Sequence, residues 1–356
     1  MAATTLEPSA TRSALAGGSL PRWVTPTVLV ASIVIALLLN RTTGLAGWFG
    51  TSLVAALLFL AVQTTWSFRV EGRRHAVDRL ATTLVYSTFI AAIVPLVSVI
   101  WTVLSKGLRV MSWGFLTQSM RNVSPRSPGG GAGHAIVGTL EQVAIAAAFA
   151  IPIGVLAAVF LVEYGRGPLA RAISFFVDVM TGIPSIVAGL FIFTAFVLGM
   201  GLERSGFAAA LALAILMLPV IIRTTEEMLR IVPNDLREAS YALGVPKWRT
   251  IAKVVLPTAL AGIVTGVVLS VARVIGETAP LLVTAGITAS LNINPFSDPM
   301  ATLPVFVYYQ YVTPGIPQDP FYARAWAGAL TLILIVMGLN AIGRLIAWKF
   351  APKSGR

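Results

Sequence analysis

Residues Glu238 to Pro257 read EASYALGVPKWRTIAKVVLP, a charged stretch that lies between long apolar segments. Gly244 divides it into two runs, and Pro246 opens the second run. Glycine is the usual left-handed stop of a helix, and proline suits a first helical turn. The stretch therefore predicts two short helices joined by a turn. We interpret it as a surface on which a partner docks.

The composition places the rest of the chain in a membrane. Of its 356 residues, 56% are hydrophobic and only 11% are charged, far from the balance of a soluble domain. Eight apolar runs approach the roughly 20 residues that a transmembrane helix needs. They are residues 24–40, 45–66, 80–105, 135–162, 172–199, 207–222, 258–287 and 325–347. The alternating pattern of barrel strands is absent, so we predict an all-α integral membrane protein with about eight spans.

The basic residues predict the orientation of these spans. With the amino terminus inside, 18 of the 26 basic residues fall in inside segments and 7 fall outside. Such a bias follows the positive-inside rule. Both termini and the 223–257 loop are then cytoplasmic. The net charge of +12 therefore reflects the orientation of the spans in the membrane and predicts no nucleic-acid partner. The lipid bilayer is the expected surrounding of the chain.

The loops predict four regions. Residues 1–22 are rich in Ser, Thr, Ala and Gly and are expected to be disordered. Residues 23–77 form an extra amino-terminal hairpin and a basic hinge, and its weak first span is a retained anchor or, alternatively, a cleaved signal peptide. The hairpin need not cross the membrane fully. Residues 78–350 form the main domain, and residues 351–356 are a tail.

Two outside loops are predicted between the spans. Residues 106–134 contain the glycine run 129–133, which we interpret as a flexible linker because no Gly-Lys-Ser/Thr follows it. Residues 290–322 carry Tyr308, Tyr309 and Tyr311, which suit the level of the lipid headgroups.

The inner loop has a predicted docking face. Asn234 can cap the first helix, and Leu236, Ala239 and Leu243 then share one side of it, widened by Ser240. The competing interpretation is an amphipathic helix that only anchors the loop at the membrane surface.

The spacing of this loop resembles a motif of the permease subunits of ABC importers, written EAA, three residues, G, nine residues, I-x-LP. The matching residues are Glu238-Ala239-Ser240, then Gly244 after three residues, then Val254-Val255-Leu256-Pro257 after nine more. Ser240 and Val254 depart from the motif by small changes. The resemblance implies that this loop couples the chain to a separate ATPase subunit. The chain has no GxxxxGK[S/T] motif, so ATP and Mg²⁺ are expected on that partner, and neither cofactor nor metal on this chain.

A second stretch narrows the resemblance. Residues 272–282 read ARVIGETAPLL and residues 182–187 read GIPSIV, and both are similar to the A-type permease subunits of bacterial phosphate ABC importers. The resemblance covers about residues 78–350. It implies a type I ABC importer permease bundle of six core helices in the plasma (inner) membrane, moving phosphate by alternating access. The implied partners are a C-type permease subunit in a heterodimer, an ATP-binding subunit dimer and an external phosphate-binding protein.

Arg273 and Glu277 are charged residues inside a predicted span. At i and i+4 they share one helical face, roughly 24 Å along the helix from Pro257. A charge at that depth should face the bundle interior. We interpret Arg273, with Glu277 and Thr278, as part of an anion pathway, because a guanidinium can donate two parallel hydrogen bonds to phosphate. The alternative is an ion pair that only fixes helix packing.

Prolines predict breaks in two spans. Pro280, with Gly276 before it, would interrupt one span and leave Thr278 to cap a half-helix. Pro184, with Gly182 before it, would interrupt another span. Amino ends of half-helices favour anions. A simple kink is the alternative at each site.

The other charged residues within predicted spans have less specific roles. Asp178 is expected to cap a helix or to pair with a basic loop residue, and Glu141 to face the interior or a cavity.

Other functional classes fit less well. An enzyme would need an acid–base pair, a nucleophile or a metal cluster, yet His75 and His134 lie far apart in loops and cysteine is absent. A secondary transporter would have no use for a coupling loop. The runner-up is a permease for another oxyanion, such as molybdate, tungstate or sulfate.

Overall fold

The computed structural model describes residues 20–43, 47–124 and 129–350, and the described chain is helical. The predicted disordered segment, apart from its last three residues, and the predicted tail lie outside these ranges. The helices are α1 (Val24–Thr43), α2 (Gly47–Val70), α3 (Arg73–Gly107), α4 (Trp113–Thr117), α5 (Gly133–Val159), α6 (Pro168–Thr181), α7 (Ser185–Ile192), α8 (Gly206–Ile231), α9 (Asn234–Ala242), α10 (Lys247–Thr250), α11 (Leu256–Ile275), α12 (Ala279–Thr284), α13 (Leu303–Val312) and α14 (Asp319–Phe350). Three π-helical segments, Phe160–Tyr164, Phe193–Leu198 and Ile251–Val255, join or extend them.

The helices reproduce the predicted spans with two exceptions. Within the described ranges, seven continuous helices are long and apolar enough to cross a membrane. The predicted span 172–199 consists of two helical segments that meet at an angle of 110°, and the continuous helix in the predicted span 258–287 ends at Ile275. The chain is therefore a multi-pass α-helical membrane protein.

The chain divides into two compact units, residues 1–100 and 101–356, and the division falls inside α3. In the first unit α1 packs on α2, around the buried side chains of Leu20, Val24 and Val28. The large apolar residues on the other faces are exposed, as expected for helices that contact lipid. The boundary near residue 78 stays a prediction.

A buried polar cluster closes one end of this hairpin. Glu71, whose side chain is 5% exposed, accepts a hydrogen bond of 2.7 Å from Arg79 Nη2 at Oε1, and its Oε2 forms an ion pair with Arg79 Nε at 2.7 Å. Its carboxylate also accepts from the Leu20 amide at 2.6 Å and from the Ser67 hydroxyl at 2.7 Å. Burial alone would raise the pKa of Glu71, but these hydrogen bonds outweigh it and lower the pKa to about 2.

The second unit is built around two close-packed helices, α5 and α8. Ala146 and Ala150 of α5 and Ala209 and Ala210 of α8 are fully buried, and such small side chains let two backbones approach closely. On the remaining sides, α11 packs against α8 and α14, and α6 packs against α8.

The glycine run 129–133 is packed, so the prediction of a flexible linker is wrong there. A Cβ on Gly131 would lie 2.3 Å from the carbonyl oxygen of Phe115, and one on Gly133 would lie 2.6 Å from that of Thr117. The Ala132 amide also donates to the Phe115 oxygen at 2.7 Å. Glycine is required here for close backbone contact with α4.

Two predicted loops contain more helix than the sequence indicated. The outside loop 290–322 contains α13, which carries Tyr308, Tyr309 and Tyr311, and the first residues of α14. The predicted inner loop 223–257 begins late, because α8 continues to Ile231. Hydropathy locates the apolar part of a helix such as α8. It cannot show how far the helix continues into polar residues.

We expect Glu71→Gln to destabilise the protein at neutral pH. The folded pKa lies below the ordinary value of 4.5, so the carboxylate contributes stability above that pH and loses it as the pH falls towards about 2. The variant should unfold at a lower temperature than the wild type at neutral pH, and the difference should shrink below pH 4.5. Asp78→Asn, on the exposed side of α3, is the matched control. Equal unfolding temperatures at neutral pH would contradict the proposed stabilising role of Glu71.

Candidate coupling and substrate sites

The inner loop is a helix–turn–helix at one end of the second unit. Helix α9 ends at Ala242, and Gly244 follows with a φ of +75°, the left-handed backbone that glycine adopts without strain. Helix α10 then begins at Lys247 and runs through the π-helical segment 251–255 into α11. Leu256 and Pro257 are the first two residues of α11, and no turn separates the loop from the span at Pro257.

An arginine ties this loop to the body of the protein. Arg237 of α9 donates to Glu163 Oε1 at 3.0 Å, and the two side chains are 12% and 5% exposed. The same guanidinium donates to the carbonyl oxygens of Leu229 at 2.9 Å and Val232 at 2.6 Å. These carbonyls belong to the last turn of α8 and to the residue that follows it, where backbone acceptors lack helical partners. Arg237 therefore fixes α9 against two membrane helices at once.

Lys247 makes a second attachment to the same place. Its ammonium group donates to the carbonyl oxygen of Glu163 and lies 4.7 Å from the centre of the Tyr164 ring. Arg237 before the turn and Lys247 after it are thus both attached to the π-helical segment that follows α5.

The side of α9 predicted as a docking face is exposed, but Ser240 is not part of it, and the docking role stays a prediction. Leu236 is 42% exposed, Leu243 is 83% exposed, and Glu238 and Ala239 are exposed beside them. These four residues are called the docking face below. Ser240 instead points inward, where its hydroxyl lies 2.8 Å from that of the buried Thr250.

The amino end of α9 also differs from the prediction. Pro233 occupies the cap position, and Asn234 is already the first helical residue. The Asn234 side chain accepts a hydrogen bond from Arg237 at 3.3 Å instead of capping the helix.

The first proline site is a sharp corner. Helix α6 ends at Thr181 and α7 begins at Ser185, with Gly182 at the end of one helix and Pro184 in the cap position of the next. The angle of 110° is too large for a simple kink.

The second proline site is a break of three residues. Helix α11 ends at Ile275, Gly276 follows it, and α12 begins at Ala279 with Pro280 in its first turn. Thr278 occupies the cap position but makes no capping hydrogen bond with its side chain. The predicted capping role of Thr278 is therefore wrong.

The half-helices that follow the two breaks, α7 and α12, lie against each other. A Cβ on Gly189 of α7 would lie 2.5 Å from the Cα of Pro280, closer than real Cβ atoms come to backbone. The glycine in one half-helix thus permits direct backbone contact with the other half-helix. The sequence placed both breaks but did not indicate that the half-helices after them touch.

Arg273 does not form the predicted pair with Glu277. The helix ends between them, so they no longer share a helical face. Arg273 is exposed on the surface of the chain and Glu277 is partly buried, and neither takes part in an ion pair among the described residues. The side chain of Arg273 is thus not enclosed by this chain, and its expected place facing the interior of the bundle stays a prediction.

Asp178 pairs with Arg223, which confirms that it meets a basic residue of the predicted inner loop. Arg223 also donates to Glu226 at 2.7 Å, and Glu226 accepts from Arg230 at 2.9 Å. The chain of charges joins α6 to the polar end of α8. Glu226 is only 4% exposed, and no hydropathy signal singled it out.

The remaining sequence predictions concern Glu141 and metals. Glu141 is partly exposed on α5, and its carboxylate forms no ion pair with the part of the chain that the structure describes. Within residues 20–43, 47–124 and 129–350, no three His, Asp or Glu side chains are grouped closely enough to hold a metal ion.

The described residues thus form a multi-pass helical membrane protein, with an exposed helical loop at one end and two interrupted helices within the bundle. A family model described as the binding-protein-dependent transport system inner membrane component matches residues 150–353. The phosphate transport system permease protein PstA 1 of Mycobacterium tuberculosis is 47% identical over 275 residues, 77% of this chain and 90% of that protein. PstA of Yersinia pestis is 38% identical over 284 residues, 80% of this chain and 93% of that protein.

The chain belongs to the family of binding-protein-dependent transport system inner membrane components, and within it to the PstA permease proteins. Solved structures share its fold. A bacterial alginate ABC transporter superposes with a TM-score of 0.55 at 14% identity, covering 78% of this chain and 97% of that one. The inward-facing MetNI methionine ABC transporter gives 0.50 at 23% identity, covering 61% and 94%.

We expect Gly189→Ala to destabilise the protein, because its new methyl group would meet the Pro280 backbone. Overpacking of this kind costs about 1–3 kcal/mol. Gly338→Ala is the matched control, since a Cβ there has no atom within 4 Å and alanine favours a helix. Thermal unfolding of both variants in detergent measures the difference. Equal unfolding temperatures for Gly189→Ala and the wild type would show that the two half-helices are not held in contact.

Proposed function

We propose that this chain is a permease subunit of an ABC importer that moves inorganic phosphate into the cell. The observation that carries the proposal is its 47% identity to a phosphate transport system permease over 90% of that protein's length. A permease for another oxyanion, molybdate, tungstate or sulfate, is the alternative within the same class.

The docking face is the proposed contact for the ATPase. Leu243 presents most of its side chain to solvent at the tip of a loop that Arg237 and Lys247 hold rigid. An exposed apolar side chain on a rigid loop suits burial in a groove of a partner. The sequence has no GxxxxGK[S/T] motif, so ATP and Mg²⁺ bind to the partner ATPase, and this chain acts as a transport subunit.

Three further partners complete the proposed importer. A C-type permease subunit forms a heterodimer with this chain, two ATP-binding subunits drive it, and an external phosphate-binding protein delivers the substrate. Both termini of this chain are cytoplasmic, on the side of the docking face, because the basic residues concentrate there.

Arg273 is proposed to line the phosphate pathway at the boundary with the second permease subunit. A charged side chain at this depth is costly against lipid, so an exposed Arg273 needs water or a neighbouring subunit beside it. An aqueous pathway between two permease subunits supplies both conditions. Glu277 and Thr278 lie at the break just beyond it.

We expect Gly244→Val to uncouple the importer from ATP hydrolysis. A β-branched residue at a φ of +75° is strained, so the turn should shift and displace the docking face. The variant should stay in the membrane, yet lose most phosphate uptake and most co-purification of the ATPase subunit. A bulky residue at Ala239 should have the same effect.

Gly201→Val is the matched control for this experiment. Gly201 also has a positive φ, +66°, and a Cβ at this position would have no atom within 4 Å. It lies in the loop before α8, outside the docking face. Normal phosphate uptake by Gly244→Val would disprove the coupling role of the loop.

The substrate and the role of Arg273 can be tested together in reconstituted transporters. We expect radiolabelled phosphate uptake to be inhibited by excess phosphate and not by equal molybdate, tungstate or sulfate. Arg273→Gln should abolish uptake, and Arg273→Lys should reduce it, because lysine keeps the charge and loses the bidentate geometry. Arg109→Gln, at an exposed site, is the control.

The two parts of this experiment fail separately. Stronger competition by another oxyanion would reassign the substrate without affecting the pathway. Normal uptake by both Arg273 variants would remove Arg273 from the pathway and leave the substrate unchanged.

A further inference from the structure

A pocket with a mainly apolar lining and five polar side chains lies at the end of the second unit opposite the docking face. It has a volume of about 290 Å³ and is lined by residues from the loop before α5, the start of α5, the loop after α12, helix α13 and the start of α14. His134 lies at the first turn of α5, whereas Glu163 lies near the other end of the same continuous helical segment. At 1.5 Å per residue, roughly 45 Å separate the pocket from the attachment of the inner loop.

Arg324 provides the positive charge of this pocket. It is 2% exposed, the most deeply buried of the large side chains that carry a charge. Its Nε donates to Gln310 Oε1 at 3.2 Å, its Nη1 donates to the Gly129 carbonyl oxygen at 3.0 Å, and its guanidinium lies 4.7 Å from the centre of the Phe321 ring. These contacts orient the guanidinium in one direction beside the pocket.

His134 provides an unused polar group. It is 3% exposed and lines the pocket, with its ring packed edge-on against Phe306. Its Nδ1 has no hydrogen-bond partner among the described residues. A buried polar atom without a partner destabilises a fold, so a ligand in the pocket would explain why a histidine stands there.

The lining selects the charge of a ligand. Tyr309, Gln310 and Thr288 add neutral polar groups to Arg324 and His134, and none of the described lining residues carries a carboxylate. A cation would be repelled there, while a small oxyanion would meet a guanidinium and several hydrogen-bond donors. Arginine and imidazole N–H groups suit the oxygens of phosphate.

We propose that this pocket is a second oxyanion site, separate from Arg273, in which Arg324 and His134 hold phosphate at the entrance to the permease. The position of the pocket as an entrance rests on the proposed function, since it requires the docking face to be cytoplasmic. An oxyanion can bind in the pocket whether or not the protein transports it. The binding is therefore tested without a transport measurement.

The absence of cysteine from the chain permits a direct test. Ala289→Cys places one thiol at the exposed edge of the pocket, and Ile316→Cys places one at a site that is 85% exposed and does not line it. Labelling is followed on this chain, in membranes that contain the full transporter, with an anionic and a cationic thiosulfonate reagent of similar size.

The pocket should favour the anionic reagent. At each cysteine we compare the labelling rate of the anionic reagent with that of the cationic reagent. At low salt, we expect this ratio to be on the order of five- to tenfold higher at Ala289→Cys than at Ile316→Cys, because one positive charge lies near Ala289. Millimolar inorganic phosphate should slow labelling at Ala289→Cys and not at Ile316→Cys. Chloride at the same ionic strength is the salt control.

Variants of the lining residues show which side chains cause the anionic preference and the protection by phosphate. Adding Arg324→Gln to Ala289→Cys should remove both the anionic preference and the protection by phosphate. If that variant is absent from the membrane, Arg324→Lys should keep the preference, and His134→Phe should weaken the protection while the preference remains.

Three results would overturn the proposal. These are equal labelling ratios at the two cysteines, protection by phosphate that survives Arg324→Gln, and an anionic preference that phosphate does not diminish. The last result would show that the positive charge of the pocket attracts anions without binding phosphate. Because no uptake is measured, these outcomes are independent of whether the importer carries phosphate.

Discussion

The pairing of Arg237 with Glu163 is the contact on which the arrangement of the inner loop depends. The pair is nearly buried, and the guanidinium also binds two carbonyl oxygens at the end of α8. Loss of either partner would leave a buried charge and unpaired backbone acceptors, which is far costlier than loss of an exposed ion pair. The loop therefore moves with the helices that it touches, so a force on the docking face reaches the membrane bundle.

One continuous helical segment connects this loop to the break that follows Arg273. Residues Lys247–Ile275 run without interruption from the turn after Gly244 to Gly276. Beyond the break at its far end, Pro280 lies against the backbone of Gly189 in the other broken helix. The second half of the inner loop and the exposed arginine thus lie on one continuous helical segment, which can move both together, and the break separates that segment from the contact between the half-helices.

The sequence predicted elements well and orientations poorly. Hydropathy located the spans, and the spacing of Glu238, Gly244 and Pro257 located the inner loop. Helical periodicity placed Ser240 on the docking face and paired Arg273 with Glu277, and both predictions were wrong. Periodicity assumes an uninterrupted helix and says nothing about neighbours. The helix ends before Glu277, and Thr250 binds Ser240 from ten residues further along the chain.

The sequence by itself determined the class of this protein, because the length of apolar runs, the distribution of basic residues and the positions of glycine and proline are local properties. The tertiary structure alone decided which charges are buried and which are exposed. Arg324, between the predicted outside loop 290–322 and the predicted span 325–347, is almost fully buried, whereas Arg273, within the predicted span 258–287, is exposed. Burial depends on segments distant in the chain, such as Gly129 and Gln310 beside Arg324, and no local pattern shows which segments will meet.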